Sequence, residues 1–161
     1  MIVIRPARPD EVDALAHIGL AAWRKGIKPL VPAEIALAIE KDNPFVPFLR
    51  QIGSSIVVAE IEGQAGGIGA CEHADDTISD IWVAPPFEGR GAGSALIRAL
   101  EAQVLDRGYS EARIEVAAAN ERALELYGRL GYRPLWRKVV LDPVLRTDLE
   151  KIGLVRRLSA A

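Results

Sequence analysis

The period of the apolar positions changes several times along this chain, and each change marks an element. Ile2 and Ile4 alternate with Val3 and Arg5, which predicts a short opening strand. Pro9-Asp10-Glu11 has the form of a helix start, with proline at the first helical position and acids in the first turn. Val12, Leu15, Ala16, Gly19, Ala22 and Trp23 follow at helical spacing, predicting a helix near 9–24. Gly26 and Pro29 break the next segment. Pro32 opens a second short helix with Ile35, Ala38 and Ile39 on one face, and Pro44 and Pro47 are expected to end it.

The pattern then shortens. Residues 55–61 are β-branched and read as a strand, Glu62-Gly63-Gln64 as a turn, and 65–72 as the partner strand of a hairpin. After a polar turn at 73–76, residues 77–83 alternate at first and then become continuously apolar, as a strand entering a core does. Residues 55–83 are therefore expected to form an antiparallel meander. Pro85-Pro86 stops it. A helix over 94–107 follows, with Leu96, Ile97, Leu100 and Val104 as its stripe and Gly108 closing it. Residues 112–117 read as a strand. Asn120 caps a further helix whose apolar face is Ala123, Leu126, Tyr127 and Leu130, and Gly131 ends it. Residues 133–141 and 153–158 read as strands, and 142–152 carries no assignable pattern. Strands on both sides of helical crossovers predict an α/β (α+β) fold with helices on both faces of a mixed sheet. The strands of the 77–117 unit should run parallel.

Length, charge and thiol count narrow the chemistry. At roughly 150 residues per domain, 161 residues predict a single domain over 1–161. Twenty basic residues against 22 acidic ones leave a net charge of −2, so there is no global basic field for gripping nucleic acid. One cysteine, Cys71, excludes an internal disulfide framework and a zinc site built on several thiolates. His17 and His73 are too few for an imidazole-rich site, so no metal is expected. The N-terminal segment meets Pro6 too early for a secretory leader, and no apolar run approaches the ~18–20 residues of a membrane span. The expectation is a reduced, cytoplasmic chain without a membrane partner.

Gly89-Arg90-Gly91-Ala92-Gly93 sits where a strand passes into a helix. Glycine permits close backbone approach to a ligand, and the first N–H groups of a helix lack intrahelical partners, so the segment suits a phosphate or pyrophosphate. The alternative is a tight turn whose glycines only satisfy backbone geometry. Two familiar phosphate motifs fail here. A Walker A loop needs a lysine after its glycines, and none follows. A dinucleotide fingerprint needs a third glycine three residues on, where Ser94 or Leu96 stands.

Residues 83–96, Val-Ala-Pro-Pro-Phe-Glu-Gly-Arg-Gly-Ala-Gly-Ser-Ala-Leu, resemble the acyl-CoA pyrophosphate loop of the GNAT family of N-acetyltransferases. The family signature there is Gln/Arg-x-x-Gly-x-Gly/Ala, and here it reads Glu88-x-x-Gly91-x-Gly93. Residues 120–132, Asn-Glu-Arg-Ala-Leu-Glu-Leu-Tyr-Gly-Arg-Leu-Gly-Tyr, are similar to the family's second block, Asn-x-x-Ala-x-x-Leu-Tyr-x-x-x-Gly-Phe/Tyr. The resemblance covers about residues 2–140. Glu88 departs from it: a carboxylate pointing inward repels a pyrophosphate, so backbone amides would hold the phosphates while this side chain orients the loop.

The resemblance implies a mainly antiparallel central sheet of about six or seven strands. It implies acetyl-CoA as co-substrate, contacted by Val83, Glu88, Gly89, Arg90, Gly91, Ala92, Gly93, Ser94 and Asn120. It implies direct attack by a primary amine of a small molecule or peptide, with no acyl-enzyme and Cys71 a bystander. Tyr127 would then be the general acid that protonates the departing thiolate, its alternative being a core aromatic on the apolar stripe. Glu115 is the candidate base, its alternatives a solvated strand charge or a partner for Arg113. Asp80 is the second candidate, or else an exposed strand carboxylate. Trp23, Lys25 and the 24–32 loop would shape the acceptor wall, with Trp23 otherwise a core residue. The tail at 142–161 is a candidate for joining a second copy in a homodimer. The competing function is a catalytically silent acyl-CoA-binding sensor or partner module.

Overall fold

The computed structural model describes residues 1–142 and 147–159. Of the tail read as joining a second copy, residues 143–146 and 160–161 lie outside the described residues. The elements run β1 (Ile2–Pro6), α1 (Val12–Gly26), α2 (Ala33–Lys41), α3 (Phe45–Ile52), β2 (Val57–Ile61), β3 (Gln64–Ala70), β4 (Thr77–Ile78), β5 (Asp80–Val83), α4 (Ala92–Asp106), β6 (Glu111–Ala117), α5 (Glu121–Arg129), β7 (Arg133–Asp142) and β8 (Thr147–Arg157). No helix among the described residues is long and apolar enough to cross a membrane.

Instead of one sheet of six or seven strands there are two of four, ordered β1-β2-β3-β5 and β4-β6-β8-β7. The reason lies in the segment read as one strand over 77–83. Thr77 and Ile78 pair in parallel with Arg113 and Ile114 of β6. Asp80 to Val83 pair antiparallel with Ala70 to Gly67 of β3. The chain changes sheets at Ser79, whose Oγ accepts the Glu72 N–H at 2.8 Å and donates to Asp80 Oδ2 at 2.7 Å. Beyond Ile78 no ladder joins β5 to β6, so the sheets part there and leave room for ligands. The parallel relation expected for the 77–117 unit is the β4–β6 pair, and the antiparallel meander is β2-β3-β5.

Alternation along the first sheet feeds two cores. Val57, Ala59 and Ile61 face one with α4, and Val58, Ile68 and Ala70 face the other with α1, α2 and α3. The α4 stripe Leu96, Ile97, Leu100 and Val104 is fully buried. Each such side chain contributes about 1.5–3 kcal/mol on leaving water. That outweighs anything helix propensity supplies to one isolated turn, so packing fixes where α4 begins.

The second helix, α2, ends at Lys41 ahead of Pro44 and Pro47, and the pattern did not show that these prolines stand at the start of a further helix. They open α3, with Pro44 just before its first residue and Pro47 in its first turn, where a missing N–H breaks no intrahelical bond. Asn43 supplies the start signal: its Oδ1 accepts the Phe45 N–H at 2.9 Å, and its Nδ2 donates to the Ala16 carbonyl of α1 at 3.0 Å. β8 begins at Thr147, so much of the stretch without assignable pattern is strand paired to β7.

Candidate active site

The groove at the start of α4 is built by backbone. Gly91 precedes the helix at φ +89°, a left-handed conformation that disfavours any side chain, and no side chain caps the helix. The first turn of N–H groups therefore stays available to an anion, reinforced by the dipole of a 15-residue helix. An open volume of about 590 Å³ lies over it, lined by Val83, Glu88, Gly89, Gly91, Ala92, Gly93 and Ser94 on the loop side. Asn120, Arg122 and Tyr127 of the α5 segment line the other side. Donors without intrahelical partners, a close backbone and an open groove suit a pyrophosphate-bearing cofactor such as acetyl-CoA.

A second cavity of about 230 Å³ adjoins it, between β5 and the end of β6. Its aromatic wall is Trp23, Phe45, Phe48 and Trp82, and Phe45 meets Trp82 edge to face with ring centroids 5.2 Å apart. Its polar wall holds Glu72, Asp80, Glu115 and the Asp142–Lys151 ion pair, 3.0 Å apart. Ile27, Ile81, Trp82, Asn120 and Tyr127 line both spaces, so the two adjoin along these five residues.

The titratable groups at this junction differ in environment. Tyr127 is buried on α5, and its phenol is pushed well above its ordinary value by burial and then by the charge on Asp80. It holds its proton throughout the working range. Asp80 is oriented at both oxygens, accepting from Ser79 Oγ at 2.7 Å and from Trp82 Nε1 at 3.0 Å. Glu72 is raised by burial and by neighbouring Asp80. Glu115 is exposed on β6 and faces the cavity. Burial also raises the Cys71 thiol, which disfavours the thiolate form a nucleophile needs.

Most residues singled out from sequence converge on these two spaces, but not all. Arg90 does not line the groove; its guanidinium lies 6.0 Å from the centre of the Phe87 ring. Lys25 does not line the second cavity but lies on the groove, where it pairs with Glu88. Trp23 is buried in the core and also lines the second cavity; its indole N–H has no hydrogen-bond partner among the described residues. Asn120 both caps α5, accepting the Ala123 N–H at 3.2 Å, and lines both spaces. Sequence reasoning missed Phe45 and Phe48, because no element was assigned over the residues that form α3. It also missed Glu72, which stands outside any motif.

Residues 20–132 match the model of the acetyltransferase (GNAT) family. Two curated proteins, the thialysine N-epsilon-acetyltransferases of Bos taurus and Sus scrofa, are each 40% identical over 58 residues. That match spans 36% of this chain and 34% of the relative, about a third of the relatives' length. Among solved structures, a GCN5-related N-acetyltransferase from Rhodopseudomonas palustris superposes with TM-score 0.77 at 24% identity, covering 97% of this chain and 95% of the other. The PaiA N-acetyltransferase from Thermoplasma acidophilum, solved in complex with coenzyme A, gives 0.72 at 16% identity over 98% and 99% of the two chains. The ribosomal-protein-S18-alanine N-acetyltransferase from Escherichia coli gives 0.70 at 21% identity over 100% and 96%.

Proposed function

Because the chain belongs to the acetyltransferase (GNAT) family, we propose that it is an acetyl-CoA-dependent N-acetyltransferase acting on the primary amine of a small molecule or peptide. The observation that carries this reading is the meeting of two spaces at one protonated phenol. An anion groove at the α4 start and an acid-lined aromatic cavity are both lined by Tyr127. The curated relatives are named for an ε-amine, which supports an amine acceptor here.

Acetyl-CoA supplies the activated acetyl thioester, so the C–N bond forms as the C–S bond breaks. The chain's residues do the rest. Asp80, Glu72 and Glu115 draw a cationic amine into the cavity, and the aromatic wall holds its carbon chain away from water. Asp80 or Glu115 takes the proton from the amine nitrogen, which attacks only when neutral. The Tyr127 hydroxyl offers its proton to the departing sulfur. A raised phenol is a weaker acid than a thiol, whose ordinary value is about 8.5. Tyr127 therefore donates a hydrogen bond while the sulfur gathers charge, and hands over the proton only as another replaces it.

A thiol-release assay with acetyl-CoA and a panel of primary amines tests the reading. One thiol should appear per amide formed on at least one amine. Bound acetyl-CoA without turnover on any amine would leave the silent binding module in its place.

A further inference from the structure

Glu88 stands where the family signature has Gln or Arg, and its surroundings explain how a carboxylate is tolerated there. Its Oε2 accepts from Lys25 Nζ at 2.6 Å, and the same oxygen accepts from Arg122 Nη1. The three residues come from the end of α1, the glycine loop and the first turn of α5. All three line the cofactor groove. The carboxylate is the covered member, 19% exposed, while the cations lie outermost at 54% and 63%. One anion thus gathers two cations from two different helices at the groove that the start of α4 also lines.

We propose that Glu88 is an internal anion that Lys25 and Arg122 exchange for the cofactor's phosphate groups. This rests on the acetyl-CoA reading above. Three features support exchange over a fixed brace. A carboxylate and a phosphate offer an arginine the same fork of acceptor oxygens, so one can replace the other. The cations are exposed enough to swing by side-chain rotation alone. The loop residue itself is followed by Gly89 at φ +74°, so it sits at a backbone turn and not inside a helix or ladder. When phosphate oxygens take Lys25 and Arg122, Glu88 is released to water and the cations stay paired throughout. Glu88 then weakens cofactor affinity in proportion to the ion pairs that must be broken, while keeping the empty groove from holding two unpaired cations.

Titration calorimetry on the purified full chain tests the exchange with acetyl-CoA and with acetyl-pantetheine, which lacks the phosphates. Glu88→Gln should tighten acetyl-CoA binding by about tenfold, the scale of a hydrogen bond to a charged group. It should leave acetyl-pantetheine unchanged. Arg122→Gln should weaken acetyl-CoA binding, and by a larger factor in the Glu88→Gln background, where no internal pair offsets the loss. Weaker acetyl-CoA binding by Glu88→Gln, or an equal change for both ligands, would overturn the exchange and make Glu88 a brace. Wild-type protein that binds no acetyl-CoA would overturn the cofactor reading itself, so the two failures are told apart. Thermal unfolding of each variant checks that the fold is kept.

Discussion

Single atoms decide the chemistry proposed here. Tyr127→Phe removes one oxygen from a buried ring and leaves the α5 packing in place. Turnover should fall about 100-fold, the lower range for a positioned acid, with acetyl-CoA affinity nearly constant. The loss should be similar at every pH, because burial keeps the phenol protonated throughout. Equal turnover by the variant, measured by thiol release, would exclude Tyr127 as the donor. The base behaves differently. Glu115→Gln and Asp80→Asn should each be assayed from pH 7 upward. The variant lacking the true base should lose turnover at neutral pH and recover as the medium approaches the amine's own value, ~10.4 for a lysine-like acceptor. If neither recovers, solvent takes the proton and both carboxylates serve only to attract the substrate. Much of this site was legible in the sequence, because the groove is made by backbone at a glycine pattern and Tyr127 and Asn120 sit in a second pattern. Glu72 and the partners of Glu88 were not, because they meet the site through tertiary contacts 34 and 63 residues apart for the two Glu88 pairs.

At the scale of elements, close approach sets what the sequence tolerates. Trp136 of β7 lies flat over Gly153 of β8, and a Cβ built at Gly153 would meet the indole at 2.1 Å. The pairing slips between Pro134 and Trp136, which brings Trp136 opposite Gly153, and Lys138 Nζ sits 4.4 Å from the centre of the indole. Gly153→Ala should therefore cost about 1–3 kcal/mol, an overpacking penalty, read as a lowered denaturant midpoint. A midpoint equal to wild type would show that the indole moves aside freely. The elements that sequence pattern found are those with a strong period: the full α1 and α4 stripes, and β2 and β3. Those it missed follow local chemistry that a period does not register. Asn43 starts α3 despite two prolines, and Ser79 hands one extended run from one sheet to the other.

At the scale of the whole molecule, ion pairs tie the first strand to the rest and set the acid limit of the fold. Arg5 of β1 holds Glu60 of β2 through Nε at 2.6 Å. It also holds Glu11, just before α1, through both terminal nitrogens at 2.8 and 2.5 Å. Glu11 additionally accepts the Arg8 N–H at 2.8 Å. The Arg5 hydrogen bond and then the Arg8 N–H hold the Glu11 carboxyl below its ordinary value of 4.5, against the opposing effect of burial. On the surface, Arg24 and then Lys28 lower Glu40 to about 2. A depressed carboxyl binds its proton less readily in the folded chain than in the unfolded one, so acid drives unfolding. The stabilisation is fully present above about pH 4.5 and drains away as pH falls through the folded values. Glu72, raised by burial and Asp80, acts oppositely, its ionisation costing stability as pH rises from 4.5 through its raised value. Glu11→Gln separates the first contribution. At neutral pH it should lose about 1.5–3 kcal/mol, the range for hydrogen bonds to a charged group, because Arg5 loses a carboxylate and keeps Glu60 and the Pro6 carbonyl. As pH falls below 4.5 and through the lowered value of the folded carboxyl, the wild type protonates Glu11 too, so the two melting curves should converge. Curves that stay parallel from neutral to acid would mean that Glu11 titrates alike in folded and unfolded chains and that its pairing with Arg5 sets no acid limit.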